Sequence, residues 1–294
     1  MKNLFLNALL TALLFSIFSV DISHAQNKKP RGYGIQIGIM DTGRLNAITD
    51  IGNVQVGHVT LHEGDSVHTG VTAILPHTGN IYQEKVPAAV YVSNGFGKMT
   101  GTTQIKELGQ LETPIILTNT LSVPTAADAL ITYTLEQPGN DDVQSVNAVV
   151  GETNDGGLNK IRGRHIDESH VLQSIYRADS GIVRQGAVGA GTGTEAFGFK
   201  GGIGTASRSV PSEHGGYKVG VLAQTNFGGV LQIDGVPVGE ELGQHYMDGT
   251  YEQQPGGSCM IIVATDAPLT SRNLERLAKR ATFGLSRTGG IASN

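Results

Sequence analysis

The chain has 294 residues, of which 41 are Gly, 10 Pro, one Cys and none Trp. With 39% apolar and 16% charged residues it can bury a core, which excludes a disordered chain, and glycine without a three-residue period excludes collagen. A net charge of −5 without a Lys/Arg run argues against a nucleic-acid partner, and a single cysteine excludes an intrachain disulfide framework.

The first predicted element is an export signal. Lys2 precedes a nearly unbroken apolar run from Leu4 to Val20, and Ser23-His24-Ala25 gives a small-x-small pattern before Gln26. This reads as a secretory signal peptide over 1–25 rather than a membrane anchor, because the apolar run is short for a span of about 20 residues and Asp21 follows it directly. The expectation is a soluble, periplasmic or secreted chain from Gln26, with no membrane partner once the signal is removed. Cys259 then stays unpaired and is expected to be buried.

Residues 26–44 read as a basic arm containing Pro and Gly. Val54–Thr60 alternates at period two and predicts a strand. Val71–Leu75, Ala88–Val92 and Pro114–Thr118 are near-continuous apolar runs that predict strands covered on both faces. Val146–Val150, Tyr217–Gln224 and Met260–Ala264 are three more. Ser122, with Pro124 in the first turn, caps a predicted helix carrying Ala126, Ala127, Leu130 and Ile131. A weaker helix covers Glu168–Arg177. After Pro268, with Thr270 or Ser271 as cap, Leu274, Leu277, Ala278, Ala281 and Leu285 form one helical stripe that stops at Gly289-Gly290. No linker or repeat divides 26–294, so a single α/β domain is expected.

Several patterns bear on chemistry. His58 and His62 lie four apart on a β-patterned run, a span of about 13 Å and too far for one ion. His165 and His170 have no HExxH or paired Cys beside them, so no metal and no cofactor is expected. The stretch Gly186–Gly204 lacks the strand, the helix and the Gly-Lys-Ser/Thr of a nucleotide loop, and reads as a tight loop where backbones approach closely. Glu152-Thr-Asn154-Asp-Gly-Gly leaves an apolar run, either as a polar turn or as a carboxylate placed for binding or catalysis. Asn226, in Gln-Thr-Asn-Phe-Gly-Gly, ends another run, either as a turn or as an amide donor to an oxyanion.

Gly256-Gly257-Ser258 opens the most hydrophobic strand. It reads as a plain turn or as a self-cleaving bond. In the second reading the Ser258 hydroxyl attacks the Gly257 carbonyl, the acyl group moves from N to O, and water releases Ser258 with a free α-amine. That amine titrates near neutrality and is a base built into the nucleophile's own residue.

Leu45–Asp50, Val56-Gly-His58, Gly70–Pro76, Met99-Thr-Gly-Thr102, Thr118-Asn-Thr120, Phe199–Ser207 and Gly257-Ser258 with Val263–Leu269 occur in this order. Together they resemble the self-processing L-aminopeptidase/D-esterase (D-aminopeptidase) family, which includes the β-peptidyl aminopeptidases. The likeness runs from about Leu45 to Asn294. It implies a four-layer αββα sandwich, similar to the N-terminal-nucleophile hydrolases but differently connected. It implies a cut at Gly257-Ser258 into 26–257 and 258–294, with the two pieces staying together and assembling further into a homo-oligomer. It assigns Ser258 as nucleophile, Asn226 as oxyanion donor and Glu152 as the acid that holds the substrate's amino group.

Two departures stand out. Asn154 replaces a tyrosine at the substrate wall. The family also continues past the last helix into a Gly-Ser-Gly-acid motif and one more strand with no counterpart here, from which a slower and less soluble chain is expected. The function implied is a serine aminopeptidase acting on short peptides, amides or esters with L-, D-Ala or β-amino N-terminal residues. The alternatives are a non-catalytic periplasmic binding protein of the same fold and an acyltransferase related to ornithine acetyltransferase. Ser258 in place of threonine, together with the export signal, speaks against the acyltransferase.

Overall fold

A computed structural model describes residues 29–247 and 257–291; the expected export signal over 1–25 lies outside the described residues. The chain divides after Ile39 into two units. In the first, a 3-10 turn covers Pro30–Tyr33. Everything below concerns the second, which starts at Met40.

In chain order its elements are β1 (Gln55–Glu63), β2 (Val67–Leu75), β3 (Val86–Pro87), α1 (Thr102–Leu108), β4 (Gln110–Leu111), β5 (Ile115–Asn119), α2 (Val123–Leu135), β6 (Val149–Thr153) and α3 (Glu168–Tyr176). They continue with β7 (Glu195–Ala196), β8 (Phe199–Lys200), β9 (Gly202–Ser209), β10 (Lys218–Asn226), α4 (Val238–Glu241), β11 (Ser258–Thr265) and α5 (Ser271–Arg287). Two sheets organise them. The first has the order β1-β2-β5-β6, antiparallel except for the parallel pair β5/β6 that α2 connects. The second is β9-β10-β11, all antiparallel.

The apolar patterns explain the stacking. β2 is buried along nearly its whole length, as a run without polar alternation demands. Its Val71, with Ile116 and Val150 of the neighbouring strands, meets Leu130 of α2 and Val171 and Ile175 of α3. The other face of that sheet contributes Val56, Ile74 and Leu117 to a second core, shared with Ile203, Leu222 and Met260 of the second sheet. α5 packs along β11 on the far side. The layers are therefore helices, sheet, sheet, helix: the αββα sandwich implied by the family resemblance. Among the described residues no helix is long and apolar enough to cross a membrane.

Three local expectations change. Ala88–Val92 forms no strand; Val86 and Pro87 pair with Leu111 and Gln110, and the Ala88 N–H donates to the Gly109 carbonyl at 2.8 Å before the pairing ends. The apolar run beyond lines a groove instead. β9 went unpredicted because Gly-Ile-Gly-Thr-Ala-Ser-Arg-Ser has too few apolar residues to show a period. Ser122 stands at the N-cap of α2 without a cap bond. Asn119 instead caps the 3-10 turn Thr120–Ser122 that leads into α2: its side-chain oxygen accepts the N–H groups of Leu121 and Ser122, both at 3.1 Å.

The glycine-rich stretch, expected as a tight loop throughout, is a close-packed loop over residues 186–194 and then runs through β7 and β8 into the start of β9. Gly189–Gly191 make a 3-10 turn against β2, with Ala190 N–H donating to Thr72 Oγ1 at 3.1 Å. A Cβ on Gly191 would stand 2.6 Å from the carbonyl carbon of Gly202, so only glycine lets the two backbones pass.

Candidate active site

The site lies at the seam between the sheets, and each sheet supplies one half. In the second sheet the apolar alternation of β10 ends at Asn226, and the apolar run of β11 begins at Ser258. The antiparallel register sets these two residues directly opposite each other. Ser258 is 5% exposed. Asn226 Nδ2 stands 3.5 Å from Ser258 Oγ, at the outer limit of a hydrogen bond. The amide cannot turn round: Glu195 N–H donates to Asn226 Oδ1 at 3.2 Å, and a backbone donor needs the oxygen end. The nitrogen is thereby committed to the serine.

The residue before Ser258 is constrained as well. A Cβ on Gly257 would stand 2.8 Å from Phe227 Cβ and 2.9 Å from Phe227 Cα. Phe227 is itself fixed by an edge-on contact with Phe197, with ring centroids 5.0 Å apart. Glycine is required here by packing alone, so Gly257 by itself does not separate a turn from a scissile bond.

The first sheet supplies Glu152, near the end of β6 and in register with Thr118 of β5. It is 1% exposed and fully satisfied. Its Oε1 accepts the Lys98 N–H at 3.0 Å and the Lys98 ammonium at 2.7 Å, and its Oε2 accepts the Thr120 hydroxyl. Burying a carboxylate this deep is costly unless such partners satisfy it.

The segment between Asn94 and Lys98 brings the halves together. A Cβ on Gly97 would lie 2.9 Å from Ser258 Cβ and 3.5 Å from the Glu152 carbonyl oxygen. One glycine is thus flanked by the serine and by the backbone of the acid. Gln224, two residues before Asn226, ties the sheets beneath the site. Its buried amide nitrogen bonds Thr153 Oγ1 at 2.7 Å, the Ala190 carbonyl at 3.0 Å and the Thr118 carbonyl at 3.2 Å.

Ser258 opens onto a groove of about 830 Å³, walled by Tyr91, Asn94 and Met99 on one side and by β11 and the apolar stripe of α5 on the other. Asn154 does not line it. That side chain is exposed, and its Oδ1 accepts the Gly156 N–H at 2.8 Å. For Asn154 the turn reading holds, whereas Glu152 and Thr153 are still strand.

The remaining candidates stay outside the site. His58 Nδ1 meets Thr72 Oγ1 at 2.9 Å, while His62 meets His68 across the β1–β2 hairpin, Nδ1 to Nδ1 at 2.9 Å. Burial, with the Arg184 guanidinium nearby, pulls His58 down to about 4, so it is neutral at pH 7. His170 caps α3 with Asp167. Among the described residues no group of three His, Cys, Asp or Glu could hold a metal ion. Cys259 is free and half-buried, and burial of its thiol pushes it up to about 12, which keeps it unreactive at neutral pH.

The sequence reading missed Lys98 and Thr120 as partners of Glu152. Thr120 lies within a stretch that carried the family likeness but had no role assigned. Lys98 stands one residue before another such stretch, closing Asn-Gly-Phe-Gly-Lys, a turn-like run whose single charge was its signal.

Residues 46–294 match peptidase family S58. The chain is similar to a β-peptidyl aminopeptidase, BapA, of Sphingosinicella microcystinivorans, with 40% identity over 306 residues covering 96% of this chain and 76% of that protein. It also resembles the crystal structure of the PH0078 protein from Pyrococcus horikoshii OT3: the TM-score is 0.83 and the identity 52%, over 91% of this chain and 76% of that one. A third likeness, with a TM-score of 0.80 and 35% identity over 90% of this chain and 74% of the other, is to the L-aminopeptidase D-Ala-esterase/amidase of Ochrobactrum anthropi. That structure is described as a prototype for the serine aminopeptidases and a new variant among the Ntn hydrolase fold.

Proposed function

This chain belongs to peptidase family S58, and we propose that it is a self-processing serine aminopeptidase that removes N-terminal residues, β-amino residues among them, from short peptides, amides and esters. Processing comes first. Ser258 Oγ attacks the Gly257 carbonyl, its proton passing to the departing Ser258 nitrogen, and leaves an ester between Gly257 and Ser258. Water hydrolyses that ester, giving a carboxylate on Gly257 and a free α-amine and hydroxyl on Ser258.

Turnover repeats the chemistry on a substrate. The α-amine takes the Oγ proton as Oγ attacks the substrate carbonyl, and passes it to the leaving amine. The resulting acyl-enzyme is hydrolysed by water through the same steps. In each tetrahedral intermediate the oxyanion is two bonds from Oγ, on ground that the Asn226 amide faces. Glu152 receives the substrate ammonium, which confines cleavage to the first residue.

The observation that carries this reading is that Ser258, backed by an amide of fixed orientation, meets at Gly97 the backbone of Glu152, whose buried carboxylate belongs to the other sheet. The reading also takes residues 1–25 as an export signal, the periplasm or exterior as the place of action, and an assembly of cleaved pairs as the working form. It invokes neither metal nor cofactor.

The test is a pair of β-alanyl p-nitroanilides, one with a free amine and one N-acetylated, given to the purified protein. The free amine is expected to be hydrolysed and the acetylated one to be poor. Equal turnover of the two contradicts the reading.

A further inference from the structure

We propose that Lys98 is a resident competitor for the substrate: its ammonium occupies the seat on Glu152 that an incoming N-terminal ammonium takes, so substrates bind by exchange and Lys98 sets how tightly a free N-terminus is held. The proposal rests on the aminopeptidase reading above and concerns a residue that reading leaves without a role.

The two partners differ sharply in exposure. The Lys98 side chain is 62% exposed, while that of Glu152 is 1% exposed. The ammonium therefore reaches the buried carboxylate from the solvent side, which is also the side from which a substrate must come. It lies 2.7 Å from Glu152 Oε1 and 2.7 Å from the Phe96 carbonyl oxygen. Its nitrogen is 5.6 Å from the Phe96 ring centroid. This is a cradle for one primary ammonium: a carboxylate oxygen, a carbonyl oxygen and an aromatic ring. A peptide's N-terminal ammonium has the same charge and the same three donors.

The carboxylate does not depend on Lys98 Nζ alone. The Lys98 backbone N–H and the Thr120 hydroxyl also donate to it, and both stay when the side chain leaves. The lysine stem can swing into water on its four carbons, and an exposed ammonium loses little on rehydration. The seat is beside the chemistry, because the neighbouring Gly97 abuts Ser258. Two ammonium groups cannot share one carboxylate oxygen and one carbonyl at hydrogen-bond distance without repulsion. A bound substrate and a seated Lys98 are therefore mutually exclusive.

The exchange predicts an effect opposite to that of a structural ion pair. Removing a structural partner would loosen the site and raise KM. Removing a competitor lowers it. Lys98→Met keeps the stem and removes the charge. KM for the free-amine anilide, and Ki for n-propylamine as a non-reacting probe, should both fall about 1.5- to fivefold, the worth of one partly exposed ion pair. Because Lys98 has left before the chemistry, kcat should change less than twofold. Lys98→Arg, which keeps a cation with more donors, should leave both constants equal to or above those of the wild type. Lys98→Gln carries the same comparison if Lys98→Met does not fold.

Unchanged or raised KM and Ki in the neutral variants would overturn the proposal. A Glu152→Gln arm separates its failure from that of the underlying reading. If Glu152→Gln binds n-propylamine as well as the wild type, Glu152 is not the amine site and the aminopeptidase reading fails at that point. If Glu152→Gln loses the amine while Lys98→Met does not gain it, only the exchange is wrong.

Discussion

Asn226 offers the sharpest separation of structure from chemistry, because its two ends do different things. The oxygen accepts the Glu195 N–H at 3.2 Å; the nitrogen faces Ser258 Oγ at 3.5 Å. Asn226→Ala removes both. Loss of one oxyanion donor costs about 10²–10³ in kcat. Loss of the acceptor leaves a part-buried N–H unpaired, at roughly 1 kcal/mol of stability. Asn226→Asp keeps the acceptor and the shape but sets a carboxylate where the oxyanion forms. Its stability should stay near that of the wild type, while its kcat falls further than that of Asn226→Ala. KM should move little in either variant, since the substrate ammonium is held elsewhere. Self-cleavage should slow with turnover, because both reactions pass through an oxyanion beside Ser258. Initial rates on the anilide, a thermal melt and a time course of chain cutting on a gel read all three quantities. If Asn226→Asp cleaves itself and turns over like the wild type, Asn226 has no part in the mechanism.

Other outcomes follow from single residues. Glu152→Gln replaces an ionic partner of the ammonium by a neutral one, and a charge-assisted hydrogen bond is worth about 1.5–3 kcal/mol, so kcat/KM on the free-amine anilide should fall roughly 10- to 200-fold. His58, held at about 4 by burial and by Arg184, binds its proton more readily in the unfolded chain. Stability should therefore be lost as pH falls from its ordinary 6.5 towards 4, by up to about 3 kcal/mol, and urea titrations should show a flatter acid limb in His58→Gln. Burial pushes Asp50 up, but the Ser207 hydroxyl at 2.7 Å and the N–H groups of Leu45 and Ala47 outweigh it and hold the carboxyl below its ordinary value. Its contribution is present at neutral pH and lost as pH falls through the lowered value. Asp50→Asn should thus melt lower than the wild type at pH 7, with the gap closing below about pH 4.

What the sequence made legible was whatever is local or densely apolar. The runs behind β2, β5 and β11 show themselves, as do the stripe of α5 and the Pro124-led start of α2, because burial on one or two faces leaves a period in the chain. β9 leaves none: Gly, Thr and Ser dominate it, and it pairs because β10 lies beside it. Ala88–Val92 is misleading for the opposite reason, being apolar because it walls a groove.

The site is harder still. Taken singly, Glu152, Asn226 and Gly257-Ser258 each read as turn chemistry, and only the ordered series of family-like stretches gave them roles. The physics that distinguishes them is non-local: Asn226 faces Ser258 through strand register, and Glu152 meets Lys98 and Thr120 across 54 and 32 residues of chain. No periodicity reports a partner at that distance. Asn154 shows the converse, a residue whose local turn pattern told the whole of its geometry.

The central claim is that Ser258 cuts the bond before itself and then serves as the nucleophile. Intact-mass and N-terminal analysis of freshly purified wild type and Ser258→Ala tests it most directly. The wild type should give two chains, the smaller beginning at Ser258, and Ser258→Ala should remain one chain without aminopeptidase activity. Cleavage of Ser258→Ala at the same bond, or full activity in an uncut wild type, would contradict it.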